Sequence, residues 1–160
     1  MDRVYLDGDD CIIILSDGSI AICDAMDFDV VKDYRWSKSS GGYPFRTDNR
    51  ATPRRTIRLH QALNPDWSMT DHIDGNRLNN RRSNLRQCTS RQNNHNRKPV
   101  SGSSSKFKGV TWDNSRSKWM AAIQVDGRTK TLGRFHNEVD AANAYNAAAM
   151  QHHKEFAKLN

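Results

Sequence analysis

The sequence predicts an α+β fold built from small β-rich pieces, with one substantial helix near the C-terminus. Three observations lead there. Only 36% of the 160 residues are hydrophobic and mean hydropathy is −0.88, too little apolar surface for one large core. The apolar residues fall mostly in short β-branched runs bounded by turn signals. Helical spacing is sustained in the alanine-rich stretch that follows Asn137.

Cys11-Ile12-Ile13-Ile14-Leu15 and Ser19-Ile20-Ala21-Ile22-Cys23 flank Ser16-Asp17-Gly18 and read as a hairpin. Asp24 or Asp27 is placed to cap a short helix near 27–34. Short strands are expected at 34–37 and 43–47, around the Gly41-Gly42 turn, and 55–61 alternates as a half-buried strand should. Residues 1–57 form the expected β-rich scaffold, and no chemistry is evident in 1–54. Proline, glycine and serines between 97 and 106 predict a flexible linker, assigned to 99–105.

Beyond the linker, Lys108–Trp112, Lys118–Val125 and Arg128–Phe135 read as three strands joined by turns at Asp113-Asn114-Ser115 and Asp126-Gly127. Alternation places Trp119, Ala121, Ile123 and Val125 on one face. Asn137 is placed to cap the following helix, whose Val139, Ala142, Tyr145 and Ala149 recur at helical spacing. His152 and His153 read as a solvated helix end, and Trp112 as turned inward if Thr111 faces outward.

Charge is unevenly spread. Residues 1–33 carry nine Asp against two Lys or Arg, while 34–57 carry six basic residues against one acidic, and 58–108 ten against three. A basic middle section within a chain of net charge +7 suits a polyanion. Three cysteines, Cys11, Cys23 and Cys88, have no close spacing and read as reduced thiols. No apolar run is long enough to span a membrane and the acidic N-terminus lacks a signal region, so a soluble cytoplasmic protein is expected.

The chemistry concentrates between 69 and 96, which reads as strand, loop, strand, helix. Asp71 and Asn93 can each offer one oxygen to a hard cation, Mg²⁺ or alternatively Mn²⁺. His72 titrates near working pH and suits a general base acting on water. Asn84 can donate and accept at once, tying the loop together and fixing His72. Arg81, Arg82 and Arg86 are suited to clamp phosphates. Asp74 and Asn76 read as turn formers, His60 as a packing residue of the scaffold, and His95 as facing a different side of the helix from Asn93.

Leu59-His60, Asp71-His72-Ile73-Asp74-Gly75-Asn76, Asn79 through Arg86, and Gln92-Asn93 with Asn96 together resemble the HNH (His-Asn-His) endonucleases, in particular phage and intron homing nucleases of the His-Asn-Asn subtype. The resemblance implies a ββα-metal motif over 58–98, one catalytic divalent metal and phosphodiester hydrolysis leaving 5′-phosphate and 3′-hydroxyl. It maps the base to His72, the structural amide to Asn84 and the ligands to Asp71 and Asn93. For a phage-encoded protein the compartment would be the bacterial host cytoplasm.

Lys106-Phe107-Lys108-Gly109-Val110, Lys118-Trp119, Leu132-Gly133 with Phe135, and Glu138 through Ala148 resemble the Apetala/ethylene-response-factor (ERF) DNA-binding domain over 106–160. That resemblance implies a sheet laid in the major groove, with contacts falling on Lys108, Thr111, Gln124, Thr129, Thr131 and Arg134. The combined expectation is a metal-dependent endonuclease acting on double-stranded DNA as a monomer, a dimer being the alternative. The competing expectation is a non-catalytic DNA-binding regulator with a vestigial nuclease motif.

Overall fold

The computed structural model describes residues 3–96 and 102–160. The chain divides into two compact units, 1–89 and 90–160.

The first unit opens with an antiparallel sheet in the order β1 (Val4–Asp7), β2 (Asp10–Ile14), β3 (Ile20–Asp24). The expected hairpin is β2–β3, with Cys11 opposite Cys23 and Ile13 opposite Ala21. Its turn closes because Asp17 Oδ1 accepts from the Ser19 N–H at 3.1 Å and the Ser19 hydroxyl at 2.6 Å, while Gly18 supplies a φ of +83°. β1 was not legible, since Val4 is its one buried residue.

A 3-10 turn (Ala25–Asp27) and α1 (Phe28–Val31) follow. Asp24 and Asp27 occupy the two cap positions, but neither side chain caps. Asp24 Oδ2 accepts from the Arg82 backbone N–H at 2.7 Å, and Asp27 Oδ1 accepts from Arg82 Nη2 at 2.6 Å. Asp27 is drawn to the charged guanidinium in place of a local backbone donor, while Asp24 is taken up by a backbone N–H from the distant 3-10 turn.

A second sheet has the order β4 (Ser37–Lys38), β5 (Pro44–Asp48), β6 (Arg55–Arg58). The strand expected over 55–61 stops at Arg58. There the Gln61 side chain accepts from the Arg58 N–H at 3.1 Å and α2 (Leu59–Leu63) begins. Leu59 and Leu63 then pack with Ile13, Leu15, Val31 and Trp36 in the core. Scaffold and motif therefore share one hydrophobic cluster. The pair β7 (Thr70–His72) and β8 (Leu85–Gln87) completes the unit, with a 3-10 turn at Arg82–Asn84 before β8. The intervening loop is pinned to the edge of β3: the Ile22 N–H donates to Leu78 O at 2.9 Å and the Asn80 N–H to Ile22 O at 2.7 Å.

The second unit begins with α3 (Ser90–His95) and contains a sheet in the order β11 (Arg128–Phe135), β10 (Lys118–Val125), β9 (Val110–Asp113). Sixteen-residue α4 (Glu138–His153) covers one face, burying Ala141, Ala142, Tyr145, Ala148 and Ala149 against Val110, Ala121 and Ile123. Asn137 caps it by accepting from the Val139 N–H at 2.7 Å. Val139, grouped by spacing with Ala142, Tyr145 and Ala149, is 51% exposed because it lies in the first turn, off the buried stripe. Gly109 is required where it stands: at φ +72°, a Cβ would lie 2.1 Å from the Tyr145 ring and 2.7 Å from Ala122 O.

Two other readings change. Of the expected linker, 99–101 lie outside the described residues. Ser104 and Ser105 are fastened into the unit, with Ser104 Oγ accepting from the Trp112 N–H and Ser105 Oγ donating to Glu138 at 2.7 Å. Hydroxyls here replace the backbone partners that a serine-rich stretch lacks. His153, expected in solvent, is buried. Its Nε2 donates to Gln124 O at 2.9 Å and its ring stacks on His95, centroids 3.6 Å apart and 8° from parallel.

Candidate active site

Antiparallel pairing sets the site's geometry. Asp71 stands directly opposite Arg86, and His72 opposite Leu85. Cross-strand partners share a face, so Arg86 reaches Asp71 Oδ2 from Nε at 2.9 Å and Nη2 at 2.6 Å. The pair is nearly dry, with side-chain exposures of 16% for Arg86 and 5% for Asp71. A carboxylate is an appropriate donor for a hard cation. Among the described residues, no three His, Cys, Asp or Glu side chains gather to hold a metal, so a cation here needs amide, solvent or substrate oxygens as well.

His72 is buried at the end of β7. Its Nε2 donates to Oδ1 of fully buried Asn80 at 3.2 Å, and Asn80 Nδ2 donates in turn to Arg77 O at 3.1 Å. The imidazole is thereby fixed as the Nε2–H tautomer, and the basic nitrogen of the neutral ring is Nδ1. Burial pulls its pKa below the ordinary histidine value, against the opposing pull of the Asn80 bond. Asn80 lies inside the quoted motif, but its spacing from His72 carries no local signature of this bond.

Asn84 ties the loop as expected of its chemistry. Its Oδ1 accepts from the Asp74 N–H at 3.0 Å, and its Nδ2 donates to Asp74 Oδ1 at 2.9 Å and to Asn79 O at 2.8 Å. The Ile73 N–H donates to Asn84 O at 2.9 Å, holding the residue after His72. Burial works against the Asp74 charge, yet donations from Asn79, the Asn76 N–H and Asn84 hold its carboxyl below the usual range.

The three arginines read as phosphate clamps all have carboxylate partners. Arg86 holds Asp71. Arg81 forms a two-pronged pair with Asp10, Nε to Oδ1 at 2.7 Å and Nη2 to Oδ2 at 2.6 Å. Arg82 holds Asp27, as described above. The Arg81 and Arg82 pairs tie the loop to the acidic N-terminal segment, whereas the Arg86 pair joins β8 to β7.

His60 also lies at the site. It is buried on α2 with its ring edge-on to His72 at 5.3 Å and to Tyr43 at 5.4 Å. Its Nδ1 has no partner among the described residues. Burial, with smaller electrostatic contributions from His72 and Arg58, pushes its pKa down to about 4. Tyr43 also lies 6.0 Å from His72, centroid to centroid. The Arg58 and Arg77 guanidiniums stand 4.9 and 4.5 Å from the Tyr43 ring centroid.

In the second unit, Asn93 is half-buried on α3, and the ring of His95 is taken up by the stack on His153. On the sheet, pairing of Gln124 with Thr129, Ala122 with Thr131, Met120 with Arg134, and Met120 with Thr111 puts four of these expected contact residues and Arg134 on one face. Gln124, Thr111, Thr129 and Thr131 are exposed there, whereas Arg134 donates to Asp113 at 2.9 Å. A bulge at Leu132, between the pairs Ala121–Gly133 and Ala122–Thr131, restores that alignment. Lys108 departs from the expectation: its Nζ donates to the His95 carbonyl, and burial pulls its pKa down to about 8. Trp112 lies on the inner face opposite Trp119, edge-on at 5.0 Å, but remains 37% exposed because the sheet ends there.

A family model described as HNH endonuclease matches residues 69–95. An uncharacterised HNH endonuclease of Acanthamoeba polyphaga mimivirus is 31% identical over 151 residues, covering 89% of this chain and 75% of the relative. The chain belongs to the HNH endonuclease family. Protein 3.8 of Escherichia phage T7 is 35% identical over 79 residues, covering 48% of this chain and 65% of that protein. No solved structure matches. HNH endonucleases generally use a divalent metal, in keeping with an oxygen donor such as Asp71. In this HNH endonuclease the family match runs from the strands of the first unit into α3 of the second. Among the described residues no helix is long and apolar enough to cross a membrane.

Proposed function

We propose that this HNH endonuclease hydrolyses phosphodiester bonds in double-stranded DNA, with His72 as general base. The observation that carries the reading is the bond from His72 Nε2 to Asn80 at 3.2 Å, which supports Nδ1 as the nitrogen that accepts a proton from water. Burial favours the neutral ring, so the base is in its working form at neutral pH. Asn84 holds the loop and is a positioning residue. Asp71 and Asn93, by family likeness, are the ligands of one divalent cation, Mg²⁺ foremost, with Mn²⁺ as substitute. When bound, such a cation supplies charge stabilisation to the phosphate and the departing 3′ oxygen.

The exposed face with Thr111, Gln124, Thr129 and Thr131 supports an ERF-like role for residues 106–160 in holding the duplex. Gln124 is suited to adenine in the major groove. Arg134 and Lys108 are secondary in that role, being engaged with Asp113 and His95. A homing-type enzyme working as a monomer accords with the single base. The test is plasmid cleavage in Mg²⁺ and in EDTA by the wild type and His72→Ala. We expect nicking by the wild type in Mg²⁺ alone, and a variant that binds but does not cut. Full cleavage by His72→Ala overturns the assignment.

A further inference from the structure

We propose that Arg58 and Arg77, gathered around Tyr43 beside His72, form a binding site for the DNA phosphodiester backbone next to the scissile bond. The inference rests on the proposed function and supplies the phosphate clamp that Arg81, Arg82 and Arg86, held by carboxylates, do not.

The charge distribution comes first. Around His72 the guanidiniums fall into two groups. Arg81, Arg82 and Arg86 each meet an aspartate at 2.6 Å. Arg58 and Arg77 have no carboxylate partner among the described residues and are exposed. They converge instead on one tyrosine ring, 4.9 and 4.5 Å from its centroid. Two like charges sharing one neutral ring repel, and an anion bound between or across them relieves that repulsion.

Their placement is built rather than incidental. Arg58 is the last residue of β6, where the strand gives way to α2 and its N–H is held by Gln61. Arg77 lies in the loop after His72 and donates from Nη1 to the Gly41 carbonyl of the β4–β5 turn. A guanidinium laid against an aromatic ring keeps further N–H donors at its edge, the geometry that receives phosphate oxygens. Tyr43 contacts both arginines and packs beside His60 and His72, at 5.4 and 6.0 Å. A phosphate held here lies next to the proposed base. The segment read as inert scaffold thereby gains a role: it supplies Tyr43, and its last strand ends at Arg58.

The experiment measures binding of a mixed-sequence DNA duplex to the full chain in EDTA across a salt series, so that cleavage is not read. Each phosphate contact adds about 0.9 to the slope of log affinity against log salt. We expect Arg58→Gln and Arg77→Gln each to flatten the slope by about 0.9, and the double variant by about twice that. Lys32→Gln, which removes a charge already paired with Asp29, should leave the slope as it was. An unchanged slope in the double variant overturns the proposal. Should a variant fail to fold, arginine-specific labelling of the wild type decides: Arg58 and Arg77 are protected by duplex if the site is real, and equally labelled with and without it if not. A protein that shows the slope change yet never cuts DNA in any divalent metal would retain this site while losing the nuclease reading.

Discussion

Arg86 donates twice to a single carboxylate oxygen, Oδ2 of Asp71, from Nε at 2.9 Å and Nη2 at 2.6 Å. With the carboxylate only 5% exposed, the pair is a structural element as well as part of the proposed metal site. Asp71→Asn leaves the guanidinium without its counter-charge and should cost about 3 kcal/mol, seen as a lower urea midpoint, along with loss of cleavage. Adding Arg86→Met removes the stranded charge and should recover most of that stability while leaving cleavage absent. A double variant no more stable than Asp71→Asn alone would show that the two side chains are not energetically coupled.

Asn84 makes three side-chain hydrogen bonds inside one loop, to both the backbone and side chain of Asp74 and to Asn79 O. At 7% exposure, water does not easily replace them. Asn84→Ala should cost about 3 kcal/mol, on the order of 1 kcal/mol for each bond. Asn84→Asp should be at least as damaging, because it sets a second carboxylate against Asp74. Amide exchange at Asp74 is the local readout. Protection there that survives Asn84→Ala would contradict the assignment of this amide as the loop's tie.

How much of this was legible depended on how local the determinant is. The β2–β3 hairpin was readable because Asp17 and Gly18 make its turn from within. Asp71, His72 and Asn84 could be picked out as candidate site residues from their residue types and family likeness. The strand end at Arg58 was not legible, since Thr56-Ile57-Arg58-Leu59 keeps a period of two. The helix that follows depends on Leu59 and Leu63 reaching a core made mostly by residues 4–36. Arg81 and Arg82 resembled free phosphate clamps because their partners, Asp10 and Asp27, lie 71 and 55 positions away. The same blindness to distance hid His153 behind His95, while Asn80, eight residues from His72, makes its bond across a loop whose path has no local signature.

His60 gives a pH dependence of stability. In the unfolded chain its imidazole takes up a proton near pH 6.5, and in the folded chain only near about 4. Between those values the unfolded state binds a proton that the folded state excludes. Stability contributed by neutral His60 is therefore present above pH 6.5 and is lost as pH falls through about 4. The full difference is worth about 3 kcal/mol. His60→Phe keeps a flat ring and removes the titration. We expect its urea midpoint to fall less steeply than the wild type's between neutrality and mild acid. Parallel curves for the two proteins would mean that His60 protonates without cost in the fold.

The six residues of α3 are too few for a helix to persist unaided. Within the second unit, α3 is held by the His95 ring stacked on His153 and by Lys108 Nζ on the His95 carbonyl. Arg91 adds an exposed pair with Asp126 at 3.1 Å, worth little by comparison. His153 is anchored in turn to Gln124 O. The helix bearing Asn93 is thus seated on the module expected only to grip DNA, and with Asn93 as a proposed metal ligand, weakening that seat should reach the chemistry. His153→Leu keeps bulk but loses both the flat stack and the bond to Gln124. It should raise amide exchange over 91–95 by about ten-fold, equivalent to about 1.4 kcal/mol, and lower the cleavage rate on saturating DNA. The Asp74 amide in the first unit should exchange as before. If 91–95 stays as protected as in the wild type, α3 takes its order from elsewhere, and the second unit contributes grip without placing Asn93.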